Sequence, residues 1–294
     1  MGSKPPGGSP GGALAAGLYL VATPIGNLGD ISRRALEVLR HADRIACEDT
    51  RVTRKLLSAE GITTPTSTYH DHSSPRDRRR LLDAVAGGAA VALVSDAGTP
   101  LVSDPGFKLV REAIADGLPV TALPGPSAPL VALLLSGLPS DRFFFGGFLP
   151  AKSGARRKAL QELQRLEASL IFFEGASRLA ASLADMAAVL GPREAAVARE
   201  LTKLYEEVRR GSLADLAAHY AEAGAPKGEI VVVIGPPAAE ADSGFDLDAA
   251  LADALAHASL RDAAAAVAAA SGLPRREVYA RALELAKAAG GEGS

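Results

Sequence analysis

Short apolar segments alternate with amphipathic segments along most of the chain. The apolar run from Ala89 to Val94 is bounded by turn residues and predicts a buried strand, as does the segment 17–23. Apolar residues then recur at helical spacing from Ile31 to Leu39. This repeated order of strand and helix predicts an α/β fold with a mostly parallel, doubly wound sheet.

The turn after the strand 89–94 has the features of a ligand-binding loop. Asp96 precedes Gly98-Thr99-Pro100, and Asp104 followed by Pro105 predicts the start of the next helix, with Asp104 as its cap. A glycine lets a ligand approach the backbone closely. Open α/β sheets bind ligands at the carboxyl ends of their strands, so this turn is a candidate site. An ordinary strand-to-helix connection is the alternative.

Two further strands end in similar turns. Gly26 follows the first strand, and Gly125 follows a strand predicted over 118–123, with Ser127 in position to cap the next helix. Because the carboxyl ends of parallel strands share one edge, we expect the three turns to meet there. The first turn contains only Gly26 and Gly29, so it lacks the dinucleotide-binding fingerprint, and the sequence contains no P-loop motif.

The distribution of glycine, proline and apolar residues predicts a chain of several segments. Residues 1–16 are predicted to be a flexible tail, followed by an N-terminal α/β domain over 17–139 and a second α/β domain over 140–237. A linker over 238–244 leads to helices over 246–290, two of which are joined by a short glycine turn. This arrangement resembles a helix-turn-helix, although a helical pair that docks on its own chain is the alternative.

Several shorter elements are predicted from local signals. The segments Arg44–Cys47 and 66–69 predict short strands, and Thr50 is the predicted cap of the helix after the first of them. The apolar stretch 128–138 predicts a buried helix. The stretch 142–148 contains half of the chain's phenylalanines and predicts a domain core or a subunit interface.

The composition is that of a soluble globular protein. The chain has 294 residues, 48% of them apolar, with a net charge of −2. A single cysteine, Cys47, excludes an intramolecular disulfide and is typical of a reducing compartment, so we expect a cytoplasmic protein. No secretion signal and no apolar run of about 18 residues is present, so no membrane association is expected. The cluster His70-Asp71-His72 is interpreted as a solvated loop, and no metal is expected.

Charged groups lie beside several predicted strand ends. Glu48-Asp49-Thr50-Arg51 closes the second strand and places two adjacent carboxylates beside a guanidinium, although a salt-bridged helix start is the alternative. Basic residues cluster at 76–80, at 152–158 and in the last helix. Each cluster is interpreted either as a charged, solvent-exposed helix face or as a contact to phosphate.

Seven segments, in this order and spacing, resemble the bacterial ribosomal RNA small subunit methyltransferase I family, within the tetrapyrrole methylase superfamily. They are VATPIGNLGDIS, ACEDTR, VSDAGTPLVSDPG, PGPSA, FFEGASRL, ARELTKLYEE and KGEIVVVIG. The resemblance covers roughly residues 18–236, and the helical end resembles the family's C-terminal segment. It implies S-adenosylmethionine-dependent methylation of a cytidine 2′-hydroxyl in the decoding region of 16S rRNA, with the 30S subunit as partner. It also implies a homodimer and a second domain with a mixed sheet, the cofactor lying in the cleft between the domains.

The resemblance implies a set of site residues on both domains. The cofactor-binding residues that it implies are Ile25, Gly26, Asp96, Gly98, Thr99, Ser127 and Ala128, then Phe173, Leu201, Gly228, Glu229 and Ile230. A ribose hydroxyl is weakly acidic, so a general base is expected, with Asp49 and Glu48 as the first candidates, Glu174 next and His70 weaker. Positive surface for RNA is expected at Arg51, Arg76, Arg78, Arg79, Lys152, Arg156, Arg157 and Lys158.

Two other functions are compatible with part of the sequence. A methylase of the same superfamily that acts on a corrin precursor would use the arginine clusters to bind substrate carboxylates, but the EDTR motif and the helical end disfavour it. A non-enzymatic RNA-binding or ribosome assembly factor with a vestigial cleft is the second alternative.

Overall fold

The computed structural model describes residues 14–70, 72–237, 246–271 and 273–290. Residues 1–13 of the predicted tail, the predicted linker and Asp71 lie outside this part of the chain. The chain divides into two compact units after Pro237.

The first sheet has five parallel strands. They are β1 (Gly17–Val21), β2 (Arg44–Cys47), β3 (Thr66–Thr68), β4 (Ala90–Val94) and β5 (Val120–Leu123), in the spatial order β3-β2-β4-β1-β5. The helices after them are α1 (Arg33–His41), α2 (Thr50–Ala59), α3 (Pro75–Ala86), α4 (Phe107–Ala115) and α5 (Ala128–Ser136). Buried side chains of α1 and α2 pack on one face of the sheet, and those of α3 and α4 on the other. The predicted doubly wound sheet is confirmed.

Capping residues explain where these helices begin. The Ser32 hydroxyl accepts a hydrogen bond from the Ala35 N–H at the start of α1, and Ser74 forms a capping box with Asp77 at the start of α3. The prediction that Thr50 caps α2 is wrong by one residue. Asp49 is the cap, because its carboxylate accepts a hydrogen bond from the Arg51 N–H.

The helix after β4 begins later than predicted. α4 begins at Phe107 with Gly106 as its N-cap, so Asp104 and Pro105 precede it and Asp104 is not its cap. Leu101 and Ser103 both lie in the left-handed region, with φ of 72° and 64°. Non-glycine residues in this region interrupt a helix. The residues that were predicted to start the helix therefore form part of a longer loop at the carboxyl edge of the sheet.

The second sheet is mixed, as the resemblance implied. Its strands are β6 (Phe143–Phe148), β7 (Ser169–Glu174), β8 (Glu194–Arg199), β9 (Glu207–Ser212) and β10 (Ile230–Ile234), in the order β6-β7-β10-β8-β9. β6 is parallel to β7, and the other pairs are antiparallel. The helices α6 (Ser153–Glu162), α7 (Leu179–Leu190) and α8 (Leu213–Ala223) contribute to the core on one face. α5 covers the other face and so joins the first sheet to the second.

Two apolar segments are more exposed than predicted. α5 is buried only where it faces the second sheet, and Leu134 on its other side is 75% exposed. Phe143, Phe144 and Phe148 are also exposed, so these residues of β6 do not form a domain core, and the subunit interface stays a prediction. Because β6 lies at the edge of its sheet, only part of its surface is covered.

The described part of the second unit, 246–271 and 273–290, contains three helices around a small core of their own. They are α9 (Leu247–His257), α10 (Leu260–Ser271) and α11 (Arg275–Gly290). Leu251, Val267 and Val278 pack at the centre. Asp246 caps α9, and the Ser259 hydroxyl accepts a hydrogen bond from the Asp262 N–H at the start of α10.

The described residues contain no candidate membrane span and no candidate metal cluster. None of the helices there has the length and apolarity needed to cross a bilayer. Over the same ranges, no three histidine, cysteine or acidic side chains come together as metal ligands.

Candidate active site

A cavity of about 410 Å³ lies in the first unit, and residues of both sheets line it. Its lining residues are Ile25, Ala97, Gly98, Thr99, Val102, Ser103, Asp104, Ser127, Ala128, Pro129, Phe148, Phe173, Glu174, Gly175, Leu201, Gly228, Glu229, Ile230 and Val231. The volume falls in the range of roughly 300–1,000 Å³ that is typical of small-molecule sites. Of the predicted cofactor residues, all except Gly26 and Asp96 line the cavity.

Hydrogen bonds hold the three turns of the first sheet together. Thr23 after β1 and Gly98 after β4 exchange two backbone hydrogen bonds of 2.9 and 3.0 Å. The Thr99 hydroxyl donates to the carbonyl of Pro126 after β5 at 3.0 Å. Gly98 has a φ of +78°, which a side chain rarely adopts. The expectation that these turns meet at one edge is confirmed.

The opposite wall contains a charged network behind the cavity surface. The Glu200 carboxylate accepts hydrogen bonds from Lys203 Nζ at 2.8 Å and from the Glu229 N–H at 3.1 Å. The Lys203 bond and then the Glu229 N–H hold the pKa of Glu200 below its ordinary value. Glu200 and Thr202 have φ of 50° and 64°, so this loop is strained where it reaches the cavity at Leu201.

Lys203 also connects this wall to the first sheet. A Cβ added to Gly26 would lie 2.4 Å from Lys203 Cγ, so the side chain of Lys203 passes directly over that glycine. Its ammonium group binds both Glu200 and Glu229. Gly26 therefore contributes a close approach between the two sheets and not a cavity surface.

The two aspartates predicted for this edge both bind groups at the start of α2. Asp96 Oδ1 accepts a hydrogen bond from the Asp49 N–H at 3.0 Å. The Asp49 carboxylate caps α2 and binds Arg51, whose Nη2 lies 2.7 Å from Asp49 Oδ2. The hydrogen bonds from Arg51 lower the pKa of Asp49 to about 2. Neither Asp49 nor Glu48 lines the cavity, and a carboxylate with so low a pKa is a weak proton acceptor.

Asp49→Asn is therefore expected to leave the shape of the pH–rate profile unchanged. A base with a pKa of about 2 stays ionised throughout the neutral range, so it contributes no inflection there. The measurement is kcat/KM against pH for the wild type, for Asp49→Asn and, as a matched control one residue away, for Glu48→Gln. Disappearance of the acid limb in Asp49→Asn alone would identify Asp49 as the base after all.

Glu174 lines the cavity, but its carboxylate forms hydrogen bonds with other groups of the protein. Its side chain is 1% exposed and binds Arg178 at 2.8 Å, the Gly175 N–H at 2.7 Å and the Ser182 hydroxyl. Accepting three donors leaves little capacity for a substrate proton. We therefore assign Glu174 to fixing the turn after β7 and not to general base catalysis.

The residues expected to bind RNA have different environments. Arg51, Arg76, Lys152 and Lys158 are exposed. Arg78 is mostly buried beside Glu112, and Arg79 binds both Asp83 and Asp116. Arg157 is half-exposed and binds Asp185.

Arg156 is corrected from an RNA contact to a structural residue. Its side chain is 4% exposed, and its guanidinium lies 2.5 Å from Asp185 Oδ2 on α7. A basic run predicts surface, but the carboxylate that buries this arginine lies 29 positions along the chain.

The sequence predicted some of the remaining lining residues in other roles. Phe148 was interpreted as core or interface and Asp104 as a helix cap, yet both line the cavity. Val102 and Ser103 carried no signal, because their position depends on the left-handed backbone between Leu101 and Ser103.

A parallel sheet and a mixed sheet that share a cavity at strand ends define the tetrapyrrole methylase class of fold. The sequence matches the family model of Tetrapyrrole (Corrin/Porphyrin) Methylases over residues 17–217 and that of the RsmI C-terminal HTH domain over residues 241–286. The chain belongs to the ribosomal RNA small subunit methyltransferase I family of tetrapyrrole methylases, and it is a methyltransferase.

The named relatives show the family, and the solved structures show the fold. Proteins named ribosomal RNA small subunit methyltransferase I are 53% identical in Mesorhizobium japonicum (97% of each chain covered) and 54% identical in Erythrobacter litoralis (92% of this chain, 96% of the relative). A diphthine synthase structure superposes with a TM-score of 0.58 at 18% identity, covering 74% of this chain and 89% of the other. A uroporphyrin-III-C-methyltransferase from Thermus thermophilus gives 0.54 at 20% identity, covering 75% and 94%. At these identities the structures show a shared fold.

Proposed function

We propose that the protein transfers a methyl group from S-adenosylmethionine to the 2′-hydroxyl of a cytidine in the decoding region of 16S rRNA. The 30S subunit is the proposed substrate particle, the homodimer the working form and the cytoplasm the site of action. The observation that carries the proposal is the near-full-length identity to relatives named for this RNA, in a chain whose three turns meet at one cavity.

The residues that line the cavity fit S-adenosylmethionine. Ile25, Phe173 and Leu201 supply apolar surface for the adenine and for the carbon atoms around the sulfonium, while Thr99 and Ser127 supply polar groups for a ribose and an amino-acid end. Two glycines with positive φ, Gly98 and Gly228, leave space that a side chain would fill.

We propose that twelve residues hold the cofactor or support the walls that do. They are Ile25, Gly26, Asp96, Gly98, Thr99, Ser127, Ala128, Phe173, Leu201, Gly228, Glu229 and Ile230. When bound, the cofactor supplies an electrophilic methyl group on a positively charged sulfur.

Positioning is the main contribution that we propose for the protein. Strained loops held by hydrogen bonds, such as 97–104 and 200–203, keep the walls in place before the substrate arrives. Holding a nucleophile and an electrophile in reactive geometry lowers a barrier by about 7–11 kcal/mol. Of the carboxylates considered as general bases, Asp49 and Glu174 bind groups of the protein, and we propose structural roles for both.

We propose that different segments of the chain bind the cofactor and the RNA. The domain over 17–139 supplies the turns at one side of the cofactor, and the domain over 140–237 supplies the other side. Exposed cations at Arg51, Arg76, Lys152, Arg157 and Lys158 contact phosphates. The helices over 246–290 form a further RNA-binding segment.

The proposal is tested by methyl transfer to ribosomal particles. Purified protein is incubated with radiolabelled S-adenosylmethionine and 30S subunits from cells that lack the modification, and the labelled nucleotide is mapped by nuclease digestion. We expect one 2′-O-methylated cytidine in the decoding region. Label in a corrin precursor offered in parallel, or binding to 30S without transfer, would contradict the proposal.

A further inference from the structure

The last two residues before Phe148 form a bulge in the edge strand β6. Phe143, Phe144 and Phe145 pair with residues 26 positions later, Ser169, Leu170 and Ile171, whereas Phe148 pairs with Phe173, only 25 positions later. β6 therefore contains one extra residue, which redirects the side chains that follow it. Bulges of this kind occur next to active sites, where they aim a side chain.

Both glycines of the bulge are required by close contacts. A Cβ at Gly146 would lie 2.5 Å from the Phe172 ring. Gly147 has a φ of +60°, and its Cβ would lie 3.1 Å from the Ser103 hydroxyl, in the loop after β4. The bulge therefore packs against β7 and against the loop after β4, and neither glycine leaves room for a side chain.

The bulge presents Phe148 as an aromatic surface at the cavity. The Phe148 ring packs against Phe173, with ring centroids 5.4 Å apart, and Phe173 packs in turn against Phe145 at 5.1 Å. Phe148 is nevertheless 59% exposed, although it lines the cavity. A fixed phenylalanine ring with most of its surface in solvent has an unused capacity for stacking.

Cations follow Phe148 on the same connection. Lys152 and Lys158 are exposed, and Arg157 is half-exposed. Two carboxylates lie nearby: Asp185 binds both Arg156 and Arg157, and Glu174 binds Arg178. The cations of the segment 152–158 therefore outnumber the carboxylates that bind them. Aromatic rings beside such cations are the usual means of binding single-stranded nucleic acid.

We infer that Phe148 is the platform on which a base of the RNA stacks next to the methylated ribose. The inference rests on the proposed function and assigns one residue, Phe148, to binding of the RNA substrate. Both rings line the cavity, but Phe173 is less exposed than Phe148. We therefore assign Phe173 to the cofactor and the more exposed Phe148 to the RNA.

Fluorescence tests the inference without methyl transfer. The chain contains no tryptophan, so Phe148→Trp introduces a single reporter, and Phe143→Trp at the other end of β6 is the matched exposed control. We expect oligocytidylate to quench the reporter at 148 and not the reporter at 143. Inorganic polyphosphate, which has the charge without bases, and S-adenosylhomocysteine should leave both unchanged.

Steady-state kinetics provide a second test of the inference. Phe148→Leu is expected to raise KM for 30S subunits by about 5- to 150-fold, the loss of one stacked base. The affinity for S-adenosylhomocysteine should stay at the wild-type value, and Phe148→Tyr should restore KM.

Three outcomes would overturn the inference. They are quenching at 148 by S-adenosylhomocysteine, equal quenching by polyphosphate, and an unchanged KM in Phe148→Leu. Failure of the wild type to methylate 30S subunits would count against the proposed function, while the quenching experiment would still decide the stacking.

Discussion

Gly228→Ala is expected to weaken the binding of S-adenosylhomocysteine by about 5- to 150-fold, since a displaced or strained backbone costs about 1–3 kcal/mol. Gly228 lines the cavity with a φ of +102°, and an added Cβ would lie 2.4 Å from the carboxyl carbon of Glu200. That carboxylate cannot move aside freely, because Lys203 and the Glu229 N–H hold it. The wall from Gly228 to Ile230 must therefore shift. Isothermal titration calorimetry measures the loss.

A matched glycine separates this crowding from backbone strain. Gly88 has a φ of +101°, nearly the same as that of Gly228, but a Cβ there meets nothing within 4 Å. Gly88→Ala is expected to lower stability by about 1 kcal/mol or more, through backbone strain, and to leave the affinity at the wild-type value. Equal losses of affinity in the two variants would contradict the role of Gly228 in shaping the cavity.

Asp185→Ala is expected to lower the free energy of unfolding of the first unit by about 3–5 kcal/mol, the cost of leaving a buried charge without its partner. Asp185 is 5% exposed and binds Arg156, Arg157 and Ser153. Without it, the guanidinium of Arg156 remains buried with no counter-charge. Urea denaturation followed by circular dichroism measures the change.

An exposed ion pair of the same chemistry provides the control. Asp83 binds Arg79 on the surface of α3, with both side chains more than half exposed, so Asp83→Ala should leave stability nearly unchanged. A small loss in Asp185→Ala, similar to that of Asp83→Ala, would show that the Arg156 cluster is not structural.

The Asp185 cluster should also make the protein sensitive to acid. Burial alone raises the pKa of Asp185, but hydrogen bonds from Arg157, Ser153 and Arg156 outweigh it and hold the pKa below its ordinary value. A carboxyl group with a lowered pKa stabilises the fold above its unfolded pKa, and this contribution is lost as the pH falls through the folded pKa. Asp185→Ala should therefore show a shallower loss of stability in acid than the wild type.

The sequence predicted the parts of the fold that depend on local pattern. The alternation of apolar runs and amphipathic stretches located the parallel strands. β9 was not predicted, because it is an edge strand with Glu207, Arg209 and Arg210 in place of apolar residues.

Features that depend on distant contacts were not predictable in the same way. The burial of Arg156 requires Asp185 from another helix. The place of Ser103 at the cavity follows from left-handed residues that no turn signal announces. Phe148 was noticed as part of a phenylalanine cluster, but its exposure follows from a bulge that requires Gly146 and Gly147 together.

A crystal structure of the protein with S-adenosylhomocysteine tests most directly the claim that the two sheets bind the cofactor between them. The account predicts the ligand in the cavity, in contact with Gly98 and Ser127 on one side and with Leu201 and Gly228 on the other. Density for the ligand at any other place, or contacts to the turns of only one sheet, would contradict it.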